Sequence, residues 1–278
     1  MTTIALLGAG GNMGTRLSKT FQNEPDHIVL HVEPSPAHQE KLRARGIPPV
    51  DRDEAVGQAD VLIMAVADKH IGPVAREVVP AMRRGAMLIC LDPAAPHAGM
   101  LPERSDVSYF VTHPAHPPLF NDETDPAARR DFFGSGLAKQ CIVNALMQGP
   151  EEDYAKGEAL ARIMWQPALR SHRVTVEQMA YLEPVLSETV GATCITVIGE
   201  ALEEAVRRGV PRDAARDFII GHLNIEIAII FKEIEWNFSE GAQKAIAEAK
   251  EMIFKKDWKR VFEPAELKRS VLSICDSE

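Results

Sequence analysis

The chain holds only four cysteines in 278 residues, Cys90, Cys141, Cys194 and Cys275, and none belongs to a CxxC pair. That excludes a disulfide framework and a thiolate zinc finger, and it reads as reduced thiols in a cytoplasmic protein. Positive charge is not in excess either. The formal net charge of −9 makes nucleic acid and anionic membrane surfaces unexpected partners, since both need a basic footprint. No uncharged apolar run reaches about 18 residues, so no membrane span is expected. No basic leader precedes the first apolar strand, so no signal peptide is expected. What is present is a 45% apolar composition, enough for a substantial core in one large or two ordinary domains.

The first part of the chain alternates. Short β-rich apolar runs recur at 3–10, 27–33, 60–66, 86–92, 107–113 and 140–147, with helix-like segments between several of them, such as Met13–Asn23 and Gly72–Met82. Buried continuous runs joined by crossovers predict a doubly wound, parallel Rossmann sheet in an α/β domain. After about Thr175 the strands stop. Residues 176–210 read as one long helix ending at Gly209 before Pro211, followed by helix over Arg212–Trp236 and Glu240–Lys255. These patterns predict a nucleotide-binding domain over 1–174 and an all-α domain over 175–278 for substrate and dimerisation. The helix around "HLNIEIAIIF" (222–231) is apolar over most of its circumference. A second subunit would cover it, so a homodimer is expected.

The first strand runs into "GAGGNMG", residues 8–14. Gly8, Gly10, Gly11 and Gly14 permit a tight turn, and with Asn12 and Met13 they open a helix whose N-terminal amides can meet a pyrophosphate. The spacing is GxGxxxG or GxxGxxG rather than GxGxxG, and an ordinary strand–helix turn remains the plainer reading. Glu33 ends the second strand about 20 residues on, where a carboxylate accepts from ribose hydroxyls and repels a 2′-phosphate. NAD is therefore expected over NADP. Ala67 and Asp68 end a later strand and would border the nicotinamide ribose; alternatively Asp68 caps a helix beginning near Ile71.

The stretch "VSYFVTHPAHPPLF" (107–120) starts as a buried strand and ends among prolines. In an open α/β sheet, ligands bind beyond the carboxyl ends of the strands. Pro114, Pro117 and Pro118 hold the segment extended, so it can aim His113 and His116 at a substrate. Each imidazole fits a general base or a divalent-metal ligand, and a hydrogen-bonded structural histidine is the third possibility. Asn121, Asp122 and Glu123 read as a solvated turn. On the long helix Glu183 and Glu188 are five positions apart among apolar neighbours. An ideal α-helix would turn them about 140° from each other, so they share a face only if Pro184 distorts it. His222 and Glu226 share a face at i,i+4, compatible with a metal or with an ordinary hydrogen-bonded pair.

The stretches "IALLGAGGNMG" (4–14), "VLIMAVADKHI" (61–71) and "IGEALEEAVRRGV" (198–210) resemble the 6-phosphogluconate/β-hydroxyacid dehydrogenase superfamily over nearly the whole chain. That family places a Lys, and four residues later an Asn, beside the nicotinamide. Matched back from Gly209, those positions are Pro184 and Glu188, so the lysine is absent and carboxylates stand in its place. "THPAHP" is similar to the His-Pro turn of prephenate dehydrogenases. Helical carboxylates are similar to those holding divalent metal in ketol-acid reductoisomerase. The resemblance implies NAD-dependent oxidation of a branched sugar acid, with isomerisation. A divalent metal (Zn, Mg or Mn) would be held by His113 and Glu183, and His116 and Glu188 would supply catalytic groups. The rival readings are a metal-independent sugar-acid or 3-hydroxyacid dehydrogenase and a non-catalytic NAD-binding regulator.

Overall fold

The computed structural model describes residues 1–276. Seven strands form one sheet: β1 (Thr2–Leu7), β2 (His27–Val32), β3 (Val61–Met64), β4 (Met87–Cys90), β5 (Ser108–Pro114), β6 (Gln140–Gln148) and β7 (Ala168–Arg173), in the order β2-β1-β3-β4-β5-β6-β7. Every residue of β3 and β4 is buried, as expected of central parallel strands covered on both faces. Ile4, Leu6, Ile63, Met87, Ile89 and Phe110 join Leu17 and Phe21 of α1 (Asn12–Phe21), and Leu160, Met164 and Trp165 in or just after α6 (Glu152–Met164), in one buried cluster. The expected Rossmann sheet is present and mostly parallel.

Two features of the sheet differ from the sequence reading. β6 runs antiparallel to β5. Residues 115–139 between them contain no crossover helix, only a short helical turn at Ala128–Arg130, and without a crossover the chain returns in the opposite direction. β7 (ALRSHR) pairs parallel with β6 at the sheet edge. It is largely solvated and carries no apolar run, so periodicity does not reveal it.

The other helices of the sheet unit are α2 (Pro36–Ala44), α3 (Arg52–Gln58), α4 (Asp68–Val78) and α5 (Ala94–His97). The long helix is three pieces. α7 (Val176–Ala180) begins in a capping box, with Thr175 Oγ1 accepting from Gln178 N–H at 3.1 Å and Gln178 Oε1 accepting from Thr175 N–H at 2.9 Å. A π-helical segment, Tyr181–Ala192, follows and contains Pro184. α8 (Thr193–Arg207) then stops at Gly209, whose φ of +99° suits only glycine well. Pro184 has no N–H to give, which disfavours regular α winding around it. The run Val176–Arg207 is long and apolar enough to cross a membrane by length and composition only. Three further helices follow: α9 (Arg212–Ile230), α10 (Glu240–Ile253) and α11 (Pro264–Cys275).

The chain divides into two compact units, one of residues 1–184 with 268–278, the other of 185–267. The expected division at 174/175 is thus displaced. α7 stays with the sheet unit because Met179 and Ala180 are fully buried and α7 packs on α5 and β6. The end of α11 rejoins that unit, with Val271 and Cys275 buried.

His31, on β2, has its imidazole pushed down to about 4 by burial and then by the nearby Arg45 charge. Below the ordinary value of 6.5 the unfolded chain binds a proton there that the folded chain refuses, so stability falls with pH through that window. Urea unfolding at pH 7 and pH 5 checks this: His31→Gln should lose less stability on acidification than the parent, and an equal loss would contradict the assignment.

Candidate functional site

At the end of β1 the chain turns through Gly8 at φ +80°, where an added Cβ would come 2.4 Å from the Ala65 carbonyl oxygen. A Cβ on Gly14 would lie 2.1 Å from the Gly8 carbonyl oxygen. Only glycine lets α1 start this close to the strand. Gly11 is the N-cap of α1 and no side chain caps it, so the first amides of the helix, from Asn12 and Met13 on, are left to a ligand or solvent. Glu33 is buried. Its Oε2 accepts from Gly10 N–H at 2.8 Å and its Oε1 from Ser35 N–H at 3.0 Å. A carboxylate offers about four lone-pair sites, so two remain for hydroxyl donors while one bond fixes the glycine turn and the other the start of the segment after β2. Beside it lies a cavity of about 370 Å³ lined by Gly8, Val32, Glu33, Pro34, Val66 and Val74 among others. Its walls combine apolar side chains with Gln39, Asp51, Arg52 and Asp53, and the size suits an adenosine. Ala67 is the N-cap of α4, and Asp68 is its first residue. The helix thus begins at Asp68 rather than near Ile71, and Asp68 does not cap it. Burial raises the Asp68 carboxyl above its usual range.

The second cluster lies at the carboxyl ends of β4 and β5. One ligand atom each from Asp92, His113 and Glu183 lies within 4.8 Å of the other two. His113 donates Nδ1–H to the Pro114 carbonyl at 2.8 Å, which leaves Nε2 as its lone-pair atom. A backbone carbonyl on the other nitrogen is the usual way a metal-ligating imidazole is oriented. Burial pushes its pKa down to about 4, against the Pro114 hydrogen bond, so the ring is neutral and able to ligate near pH 7. Asp92 follows β4, and its Oδ1 accepts from Ala94 N–H at 2.7 Å, which helps to set its rotamer. Glu183 is the third residue of the π-helical segment. Two carboxylates and one neutral imidazole at these separations fit one divalent cation. Asp92 escaped the sequence reading; the signal was its place at the end of the buried run "AMLICLD", one strand over from His113.

His116 stands beside this cluster and outside the three-residue set. Its ring is edge-on to His113 at 6.3 Å between centroids. It donates Nδ1–H to the Phe133 carbonyl at 3.1 Å and packs on the Phe133 ring at 5.2 Å. Its φ of +58° is uncommon for a non-glycine residue. Glu188 lies further along the π-helical segment, in the helical unit. His222 donates to the Phe218 carbonyl at 2.9 Å and stacks on its ring at 3.9 Å. It belongs to no metal-capable group among the described residues. Asn121 is exposed and Glu123 half-buried, and their hydrogen bonds organise the loop itself.

The phosphogluconate dehydrogenase (decarboxylating) C-terminal family matches residues 121–275, and the NADP oxidoreductase, coenzyme F420-dependent family matches residues 3–94. The D-apionate oxidoisomerase of Rhizobium rhizogenes is 52% identical over 99% of this chain and 100% of its own length. That of Cupriavidus necator is 51% identical over 98% of both. The crystal structure of a semialdehyde dehydrogenase NAD-binding protein from Cupriavidus necator, in complex with calcium and NAD, superposes with a TM-score of 0.96. It is 50% identical over 99% of each chain. The chain belongs to the D-apionate oxidoisomerase family, within the 6-phosphogluconate dehydrogenase-like superfamily of enzymes.

Proposed function

We propose that this enzyme oxidises D-apionate with NAD and rearranges the product to 3-oxo-isoapionate, at a site where Asp92, His113 and Glu183 hold a divalent cation. The observation carrying this reading is the convergence of those three ligand atoms in a chain about half identical to D-apionate oxidoisomerases. Calcium and NAD in the related Cupriavidus protein support both the cation and the cofactor.

The glycine turn over residues 8–14, with Asn12 and Met13 at the helix start, would receive the pyrophosphate. Glu33 would accept from the ribose hydroxyls of the adenosine and repel a 2′-phosphate, and Ala67 and Asp68 would border the other ribose. NAD supplies the hydride acceptor, and a divalent cation lowers the pKa of a bound hydroxyl and holds neighbouring oxygens together. His113, its Nδ1–H committed to Pro114, would serve as ligand through Nε2. His116, its Nδ1–H committed to Phe133, keeps Nε2 as acceptor for a hydroxyl proton, and Glu188 is the second group assigned to proton transfer. Rearrangement then needs no further oxidant. The tertiary hydroxyl gives up its proton and becomes a ketone while a carbon substituent migrates, with its bonding pair, to the first-formed ketone. The cation takes over the charge that the family's lysine would provide, which fits Pro184 and Glu188 standing where that family has Lys and Asn.

The helical unit leaves Phe218, Ile220, Ile230 and Phe231 mostly exposed. A second copy of the chain would cover apolar side chains such as these. Sedimentation should report a mass of two chains; a monomer at micromolar concentration would contradict the dimer.

Incubation with D-apionate and NAD should give NADH and, by NMR of the product, a rearranged 3-oxo acid. An unrearranged keto acid would favour the plain dehydrogenase, and NAD binding without turnover of any aldonate would favour the regulator. Dialysis against a chelator should stop turnover, and added divalent cation should restore it; insensitivity to both would remove the cation from the reaction. His113→Ala should lower kcat at least about 100-fold, the scale of lost ligand or acid–base function. NAD affinity should stay nearly unchanged, and retained turnover would dispose of the role given to His113.

A further inference from the structure

The helix that begins at the glycine turn is tied to the histidine turn by one side chain. Arg16 lies on the second turn of α1, and its guanidinium carbon is 5.1 Å from the ring centroid of Phe133 and 5.1 Å from that of Trp165. It also donates to the Gly134 carbonyl. Both aromatic walls lead to the site. Phe133 offers its carbonyl and its ring to His116. Trp165 is fully buried and donates Nε1–H to Thr112 Oγ1 at 3.0 Å, and Thr112 immediately precedes His113 on β5. Trp165 is therefore the fixed wall, and Phe133, on the long loop, is the wall that Arg16 holds in place. Asp131 keeps that loop compact by accepting from the N–H groups of Ser135, Leu137 and Ala138 at 2.7, 3.0 and 3.2 Å.

A cation in this place is a poor choice for stability alone. One guanidinium nitrogen of Arg16 is buried without a hydrogen-bond partner among the described residues, and removing a charge from water costs more than apolar packing of the same volume. A planar cation does one thing an apolar side chain does not: it stacks between two rings and donates in its own plane, which fixes both walls at once.

We propose that Arg16 is a positioning residue for the reaction, acting through Phe133 to set the place and tautomer of His116. The inference rests on the function proposed above, in which His116 takes the proton. Arg16 also joins the helix that would receive the dinucleotide phosphates to the segment that would act on the substrate. The strained φ of +58° at His116 is consistent with a residue held by its surroundings rather than by its own backbone preference.

Arg16→Lys keeps the charge and loses the plane. Its kcat for D-apionate should fall about 10- to 100-fold, the cost of a displacement of about 1 Å at a reacting group, while NAD affinity and thermal stability stay close to the parent's. In the double variant Arg16→Lys/His116→Ala the losses should not multiply, because both act on one group. Phe133→Leu, at a half-exposed position that folding tolerates, should reproduce the kcat loss with Arg16 intact. Nitrogen-15 imidazole spectra should show His116 as the Nδ1–H tautomer in the parent and a mixture in Arg16→Lys. Full turnover in both His113→Ala and His116→Ala would sink the site assignment. Losses there with none in Arg16→Lys and Phe133→Leu would overturn the positioning role alone. So would losses that multiply in the double variant, or a fall in kcat matched by an equal fall in NAD affinity.

Discussion

Parallel pairing of β4 with β5 sets Cys90 opposite Val111, and two residues beyond that pair the strands deliver Asp92 and His113 at the same edge of the sheet. Neither side chain chooses this meeting. It follows from a register fixed by buried apolar residues on both strands, since a slip of one position would turn every side chain to the other face. A third group then has only to arrive from outside the sheet. α7, docked by Met179 and Ala180 and started by its capping box, carries the chain to Glu183 within the same compact unit. The geometry of the proposed centre is thus inherited from the packing of the core.

Charge completes what register begins. His113 is half-buried, and desolvation of its ring lowers its pKa to about 4, so near neutral pH it presents a lone pair rather than a positive charge. Its Nδ1–H is taken by a carbonyl in its own turn, and the proline that supplies the carbonyl also ends the strand. A divalent cation placed there would be held by two carboxyl groups and a neutral ring. Glu33 plays the corresponding part at the glycine turn. One carboxylate there both pins the glycine turn through Gly10 and faces the cavity suited to an adenosine.

The sequence was informative where chemistry and local structure coincide. The glycine turn, the acid at the end of β2 and the His-Pro segment each announce themselves by residue type at a strand end, and the structure places His113 and Glu183 in one cluster. Asp92 was harder to see because an acid after a buried strand is commonplace, and only the neighbouring strand's register gives it a partner. The antiparallel return of β6 depends on what is missing from residues 115–139, a crossover helix, and β7 has no apolar pattern to read. His222 and Glu226 have a spacing compatible with a metal or with an ordinary hydrogen-bonded pair, and in the structure His222 donates to the Phe218 carbonyl. The π-helical winding at 181–192 was foreshadowed by Pro184, though its extent depends on the packing of the segment as a whole.

The central claim is that Asp92, His113 and Glu183 converge on one divalent cation. Anomalous diffraction from a crystal grown with manganese and NAD tests it most directly. The account predicts a peak within coordination distance of a carboxylate oxygen of Asp92, Nε2 of His113 and a carboxylate oxygen of Glu183. Manganese bound elsewhere on the chain, with those three side chains turned from one another, would contradict it.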